Sequence, residues 1–163
     1  MSGKIERFED LTCWQSAREL VKLVFIHCRK GELSRDWDMR SQLKRAALSS
    51  QNNIAEGFCR YYKKEFIRFL DIAQSSAGEI QSMCYNLEDL NYLPVEAIEE
   101  IRSKATETRS RTLGLIRYLS TGRKTSDNTP VEQHHNIEHL NPAVAGLRFA
   151  THLNTRTSEH LNT

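Results

Sequence analysis

Trp14, Ala17, Val21, Val24 and Cys28 follow one another at alternating steps of three and four, the spacing that gathers side chains on one face of a helix. Asp10 offers a start and Gly31 a stop, which predicts a first helix over about residues 10–30. A second stripe, Leu43, Ala47, Ser50 and Ile54, predicts a shorter helix over about 39–56 with unusually small inner residues. The third stripe, Phe66, Leu70, Ala73, Ala77, Ile80, Cys84 and Leu87, is the longest, and its period of about 3.5 points to knobs-into-holes packing over about 63–91. The fourth, Ile98, Ile101, Ala105, Thr108, Thr112, Leu115 and Leu119, predicts a helix over about 94–120, with Pro94 in a first turn where its missing N–H does no harm. Short connections favour antiparallel neighbours, so the predicted fold is all-α: an antiparallel up-down-up-down four-helix bundle. Leu20, Leu23, Ile72 and Met83 fall off these stripes and are expected to bury a contact outside the protomer's own core.

After Leu119 the period stops. The chain becomes rich in Thr, Asn, Ser and His, with too few apolar residues to offset the entropy of ordering it. Residues 1–122 are therefore assigned to the bundle and residues 123–163 to a low-complexity, mostly disordered tail, whose removal should leave folding intact.

Composition narrows the function. A chain of 163 residues with seven Gly and three Pro suits one helical domain. The formal net charge of +2 is too small to imply a nucleic-acid partner unless the charge is clustered. Cys13, Cys28, Cys59 and Cys84 form no C-x-x-C pair, which fits neither a zinc ribbon nor a secreted disulfide framework. No signal peptide and no run of membrane-spanning length is present, so a soluble, cytoplasmic protein without membrane contact is expected.

The stretch SSQNNIAEGFCRYYKKEF, residues 49–66, carries the strongest local signal. Ala46, Ala47, Ser49 and Ser50, and Ser75 to Gly78 on the next helix, let backbones approach. Asn52 and Asn53 are expected to satisfy one another or a neighbouring helix end, and Gly57 to be the left-handed residue that closes the second helix. Beyond it Arg60, Tyr61, Tyr62, Lys63 and Lys64 cluster near Arg68, with Arg40, Lys44 and Arg45 on the preceding helix. Between Arg35 and Arg68 there are eight Lys or Arg against four acids. Cations interleaved with tyrosines can contact phosphates and stack on unpaired bases. The competing reading is a solvated face with snorkelling stems, the commoner fate of charge runs.

Catalysis finds little support. A di-iron bundle needs Glu-x-x-His pairs on two helices; the one instance, Glu132 to His135, lies in the tail with His134 and His139, where adventitious metal capture is the expected limit. His27 has no evident co-ligand. Cys13, Cys28 and Cys84 fall on or beside core stripes, where Cys acts as a small hydrophobe, and Glu56 is expected to pair with an Arg. The expectation is no enzyme, no metal and no cofactor.

Three strings, FEDLTCWQSARELV, SQLKRAALSSQNNIAEG and KKEFIRFLDIAQSSAGEIQSMCYNLEDLNYL, resemble the 23S rRNA intervening-sequence protein family, also called the four-helix-bundle protein family. The similarity runs from Phe8 to Leu119, and its most specific part is Asn53, Ile54, Ala55, Glu56 and Gly57 with Arg60, Glu65 and Phe66. The resemblance implies a small bacterial protein of the kind encoded in insertions within large-subunit rRNA genes. It also implies a homo-oligomer, a pentameric ring, without enzymatic activity. A related branch, accessory proteins of diversity-generating retroelements, implies binding to nucleic acid and to a reverse transcriptase. Where that family has a Ser before Lys-Lys-Glu-Phe this chain has Tyr62, which implies a weaker cap on the third helix. Two functions follow: an oligomer that binds RNA or DNA through the basic surface, or a scaffold that docks a protein partner such as a nucleic-acid enzyme.

Overall fold

The computed structural model describes residues 5–121. Within them lie α1 (Thr12–His27), α2 (Trp37–Phe58), α3 (Lys63–Asp89) and α4 (Val95–Thr121), with short 3₁₀ turns at Phe8–Asp10 and Glu32–Arg35 and no strand among the described residues. Each helix packs on its chain neighbours, and α4 closes back on α1. Hydrogen bonds set the directions: Ser16 meets Thr108 at 2.9 Å and His27 meets Glu100 at 3.0 Å, so α1 and α4 run antiparallel. Gln81 with Thr106 at 2.6 Å and Gln74 with Arg109 at 3.1 Å do the same for α3 and α4. The up-down-up-down bundle is the one the stripes predict. The tail, with Glu132, His134, His135 and His139, lies outside the described residues.

The helix ends differ from expectation in informative ways. Asp10 closes the first 3₁₀ turn instead of starting α1, its carboxylate accepting the Glu6 and Arg7 N–H groups at 3.2 and 3.1 Å. Gly57 does not close α2 in a left-handed conformation. It is buried inside the helix, which runs on through Phe58, and a Cβ there would sit 2.7 Å from the Phe69 Cβ and 2.9 Å from the Phe66 ring. Gly57 is thus a close-approach residue, and removing the side chain is what lets α3 dock. The left-handed role falls to Asn91, with φ of 51°: the Tyr92 N–H reaches the Leu87 carbonyl and the Asn91 N–H the Glu88 carbonyl, both at 3.0 Å. That pair of bonds satisfies the orphan carbonyls at the end of α3. Gly31 also has positive φ, 56°, and a Cβ would lie 2.6 Å from the Tyr92 carbonyl oxygen.

The core has two apolar halves. One gathers Leu20, Val24, Leu33, Leu43, Ile80, Leu87, Ile98 and Ile101 around the loops that join α1 to α2 and α3 to α4. The other gathers Leu11, Cys13, Ile54, Phe66, Leu70 and Leu115 at the opposite end. Where they meet, hydroxyls take over: Ser16 with Thr108 and Thr112 donating to the Thr108 carbonyl at 2.8 Å, all buried, and the partly buried Ser49 with Ser76 at 2.9 Å. The Asn53 amide donates to the Ser49 carbonyl at 2.8 Å within its own helix. Leu20 and Met83, expected outside the core, are 0% and 8% exposed and belong to it; the inward face of each helix is wider than a single line of every third or fourth residue. Leu23 is partly buried and Ile72 exposed.

Candidate nucleic-acid interface

The connection from α2 to α3 is only residues 59–62, and the packing beneath explains why so few suffice. Gly57 lets α2 lie against Phe66 and Phe69, and Phe58 meets Phe66 edge to face at 6.1 Å. The chain turns directly above that apolar seam, which leaves Tyr61 and Tyr62 outside it, 52% and 45% exposed. Their rings meet edge to face at 5.1 Å. Tyr62 is the cap residue of α3 and its side chain makes no capping bond, as its hydroxyl is too remote for the role that Ser fills.

Cations surround the two rings. Arg60 pairs with Glu56 and its guanidinium lies 4.7 Å from the centre of the Phe69 ring. Arg68 is 3.7 Å from Glu65. Lys64 is exposed and Lys63 partly so. Such exposed ion pairs contribute little to stability, so Arg60 and Arg68 can exchange a carboxylate for a phosphate at small cost.

The remaining predicted cations are elsewhere. Arg40 and Lys44 lie near the start of α2, and at 1.5 Å per residue Arg40 is about 27 Å along the helix from Phe58. Arg40 donates to the Asp36 carbonyl at 3.2 Å, and the Lys44 ammonium sits 5.2 Å from the centre of the Phe25 ring on α1. Arg45 is exposed beside them. The nine predicted residues are therefore two groups at opposite ends of α2: Arg40, Lys44 and Arg45, and Arg60, Tyr61, Tyr62, Lys63, Lys64 and Arg68. Sequence reasoning also passed over two cations on α1 and one just after it: Arg18, whose guanidinium is 5.8 Å from the centre of the Trp14 ring, Lys22, and Arg29 beyond the end of the helix, the last two exposed. Extending the charge count back to Arg18 reveals them, since residues 18–45 hold eight Lys or Arg against four acids.

Burial and ion pairing set the state of the other ionisable groups in the bundle. Burial pushes the Cys13 thiol up to about 12 and the Cys84 thiol to about 11. It raises Cys28 as well, against the pull of Lys44 and Arg40, so these three remain protonated and unreactive at neutral pH. Cys59 is exposed. A cleft of about 250 Å³ between α1 and α4 is lined by Thr12, Ser16, Arg18, Lys104, Glu107 and Arg111 among others. Burial pushes the Glu107 carboxyl up, but Lys104 at 2.6 Å and Arg111 at 2.7 Å outweigh it and hold the group below its ordinary value. His27 is 6% exposed and bonded to Glu100 through Nε2, and no cluster of three or more His, Cys, Asp or Glu that could hold a metal ion occurs among the described residues. No helix among them is long and apolar enough to cross a membrane.

Residues 9–114 match the family described as 23S rRNA-intervening sequence protein. The chain belongs to that family. The match covers all four helices except the last turns of α4, so both ends of the bundle and both cation groups fall within the 23S rRNA-intervening sequence protein region. Among curated proteins, none matches the chain.

Proposed function

We propose that this 23S rRNA-intervening sequence protein is a non-catalytic, cytoplasmic homo-oligomer, a pentameric ring, that binds RNA through the surface at the α2–α3 connection. One observation carries the reading: two exposed tyrosines, stacked edge to face at 5.1 Å, stand on a four-residue turn among Arg60, Lys63, Lys64 and Arg68. A solvated charged face has no use for exposed aromatic rings, whereas unpaired bases stack on them and phosphates accept from the flanking cations. Repetition of the turn in a ring multiplies a weak contact into a useful one. The membership in a family named for an insertion in 23S rRNA agrees with RNA as the ligand.

Salt dependence of RNA binding tests the proposal. The affinity of the wild type for a structured or single-stranded RNA should fall steeply with salt, and each cation that touches a phosphate should reduce the slope by roughly one when changed to Ala. A variant with Arg60, Lys63 and Lys64 reversed to Glu that stays folded and binds RNA as the wild type does would remove the site. The second reading is an accessory scaffold that docks a nucleic-acid enzyme such as a reverse transcriptase, in the manner of retroelement accessory proteins. Its support is Trp37, 69% exposed near Arg40 and Lys44, since a large aromatic flanked by cations also serves as an anchor in protein–protein contacts. Failure of the wild type to bind any RNA at low salt would favour it.

A further inference from the structure

Charge is segregated along this chain more sharply than its near-zero total implies. Residues 69–101 hold seven acids and no Lys or Arg, whereas residues 18–45 hold eight Lys or Arg against four acids. Folding puts one stretch on the α1–α2 side of the bundle and the other on the α3–α4 side, the two packed together along α2–α3 and α1–α4. The basic stretch spans most of α1 and the start of α2; the acidic one covers most of α3 and the start of α4. Each side also leaves large apolar side chains in water. On α2, Trp37 and Leu48 are 69% and 37% exposed, and with Arg40 and Lys44 they recur at steps of three and four, on one face of the helix. Around the α3–α4 connection Tyr85, Leu90 and Val95 are 51–64% exposed. At this end of the acidic side Arg102 lies 4.8 Å from the centre of the Tyr85 ring and is engaged by Glu88 at 2.8 Å and Glu99 at 2.6 Å, whereas Asp89 and Glu96 remain exposed.

We propose that the α2 face of Trp37, Arg40, Lys44 and Leu48 is a docking surface for a second copy of this chain, and that it receives the acidic apolar shoulder around Tyr85, Asp89, Leu90 and Glu96. The inference rests on the homo-oligomer reading above and assigns the faces that mate. Apolar residues at the centre with opposite charges around them are what an association surface needs, the charge setting register and partner choice. Because the two faces differ, the contact is heterologous: every copy offers one face and uses the other, so the assembly grows head to tail into a closed ring or a filament. The Arg40 group is thereby committed to the neighbouring copy, and the tyrosine turn, about 27 Å away along α2, stays open to RNA.

Sedimentation velocity at micromolar concentration, with circular dichroism to confirm folding, tests the pairing. Arg40→Glu with Lys44→Glu, and separately Asp89→Lys with Glu96→Lys, should each reduce the assembly to a monomer. An equimolar mixture of the two variants offers opposite charges at every contact between unlike copies and should associate again. All four changes in one chain reverse both faces together and should restore the wild-type size. An oligomeric wild type whose single-face variants keep its size would overturn the assigned faces and leave the oligomer standing; a monomeric wild type would overturn both. Variants at Arg40 and Lys44 that keep their size but lose RNA binding would show that RNA occupies the α2 face, which also overturns the pairing.

Discussion

At the end of the bundle where α1 hands over to α2 and α3 to α4, the two loops are tied to each other. The Leu33 N–H reaches the Tyr92 carbonyl at 3.4 Å, the Tyr92 hydroxyl donates to Asp36 at 2.8 Å, and the opposite carboxylate oxygen of Asp36 accepts the Met39 N–H at 2.8 Å to cap α2. Leu33, on the loop itself, is 0% exposed. At the other end, the α2–α3 connection bonds to its own neighbours, as when the Arg60 N–H reaches the Gly57 carbonyl at 3.0 Å, and its largest side chains stand in water. Burying loop residues and linking loops stabilises a fold but leaves no surface to offer. The turn at the other end is held from below by Gly57 and the Phe seam, so Tyr61 and Tyr62 are free for a ligand.

Four changes break or sharpen that contrast. Leu33→Ala should be the most damaging, lowering the free energy of unfolding by about 2–5 kcal/mol in a denaturant titration, because a fully buried loop side chain is lost where two loops meet. Gly57→Ala should cost about 1–3 kcal/mol, since the new methyl meets Phe69 and Phe66 at distances that force a backbone shift. Tyr92→Phe should cost less, with a pH signature. Asp36 is held below its usual value of 3.8 by the Met39 N–H first and the Tyr92 hydroxyl second, and Tyr92 above its usual 10.0 by Asp36. The stability from the depressed carboxyl is present above 3.8 and lost as pH falls through its folded value; that from the raised phenol is present below 10.0 and lost as pH rises through its folded value. The melting temperatures of wild type and Tyr92→Phe should therefore differ at neutral pH and converge at both extremes. Tyr61→Ala should change stability by less than about 0.5 kcal/mol while weakening RNA binding by about 1–3 kcal/mol, with little change in the salt slope.

The contrast also marks what the sequence made legible. Helices with apolar residues every third or fourth position announce themselves, because one period specifies one face, and all four were readable. Gly57 was misread because a glycine near the end of a helical pattern has two uses, a left-handed stop or a close approach, and only the position of Phe66 and Phe69 decides between them. Asn91, which takes the left-handed position, follows a helix that the stripe alone carries to about the same point. The cluster of Tyr61, Tyr62 and their cations was visible because it is contiguous. Arg40, Lys44 and Arg45 were grouped with it because nearness in sequence stood in for nearness in space, and a helix of 22 residues carries its two ends far apart. Arg18, Lys22 and Arg29 were missed because the charge count began at Arg35, at the end of the α1–α2 connection, and left α1 out.

Lysine footprinting with and without bound RNA tests the central claim most directly, because the two ends of the bundle carry separate lysines. With the tyrosine turn as the binding surface, RNA protects Lys63 and Lys64 from an amine-reactive reagent and leaves Lys22, Lys44 and Lys104 at the rates they show in the protein without RNA. Equal protection of Lys44 and Lys64, or none at Lys63 and Lys64 under conditions where RNA is bound, would contradict it.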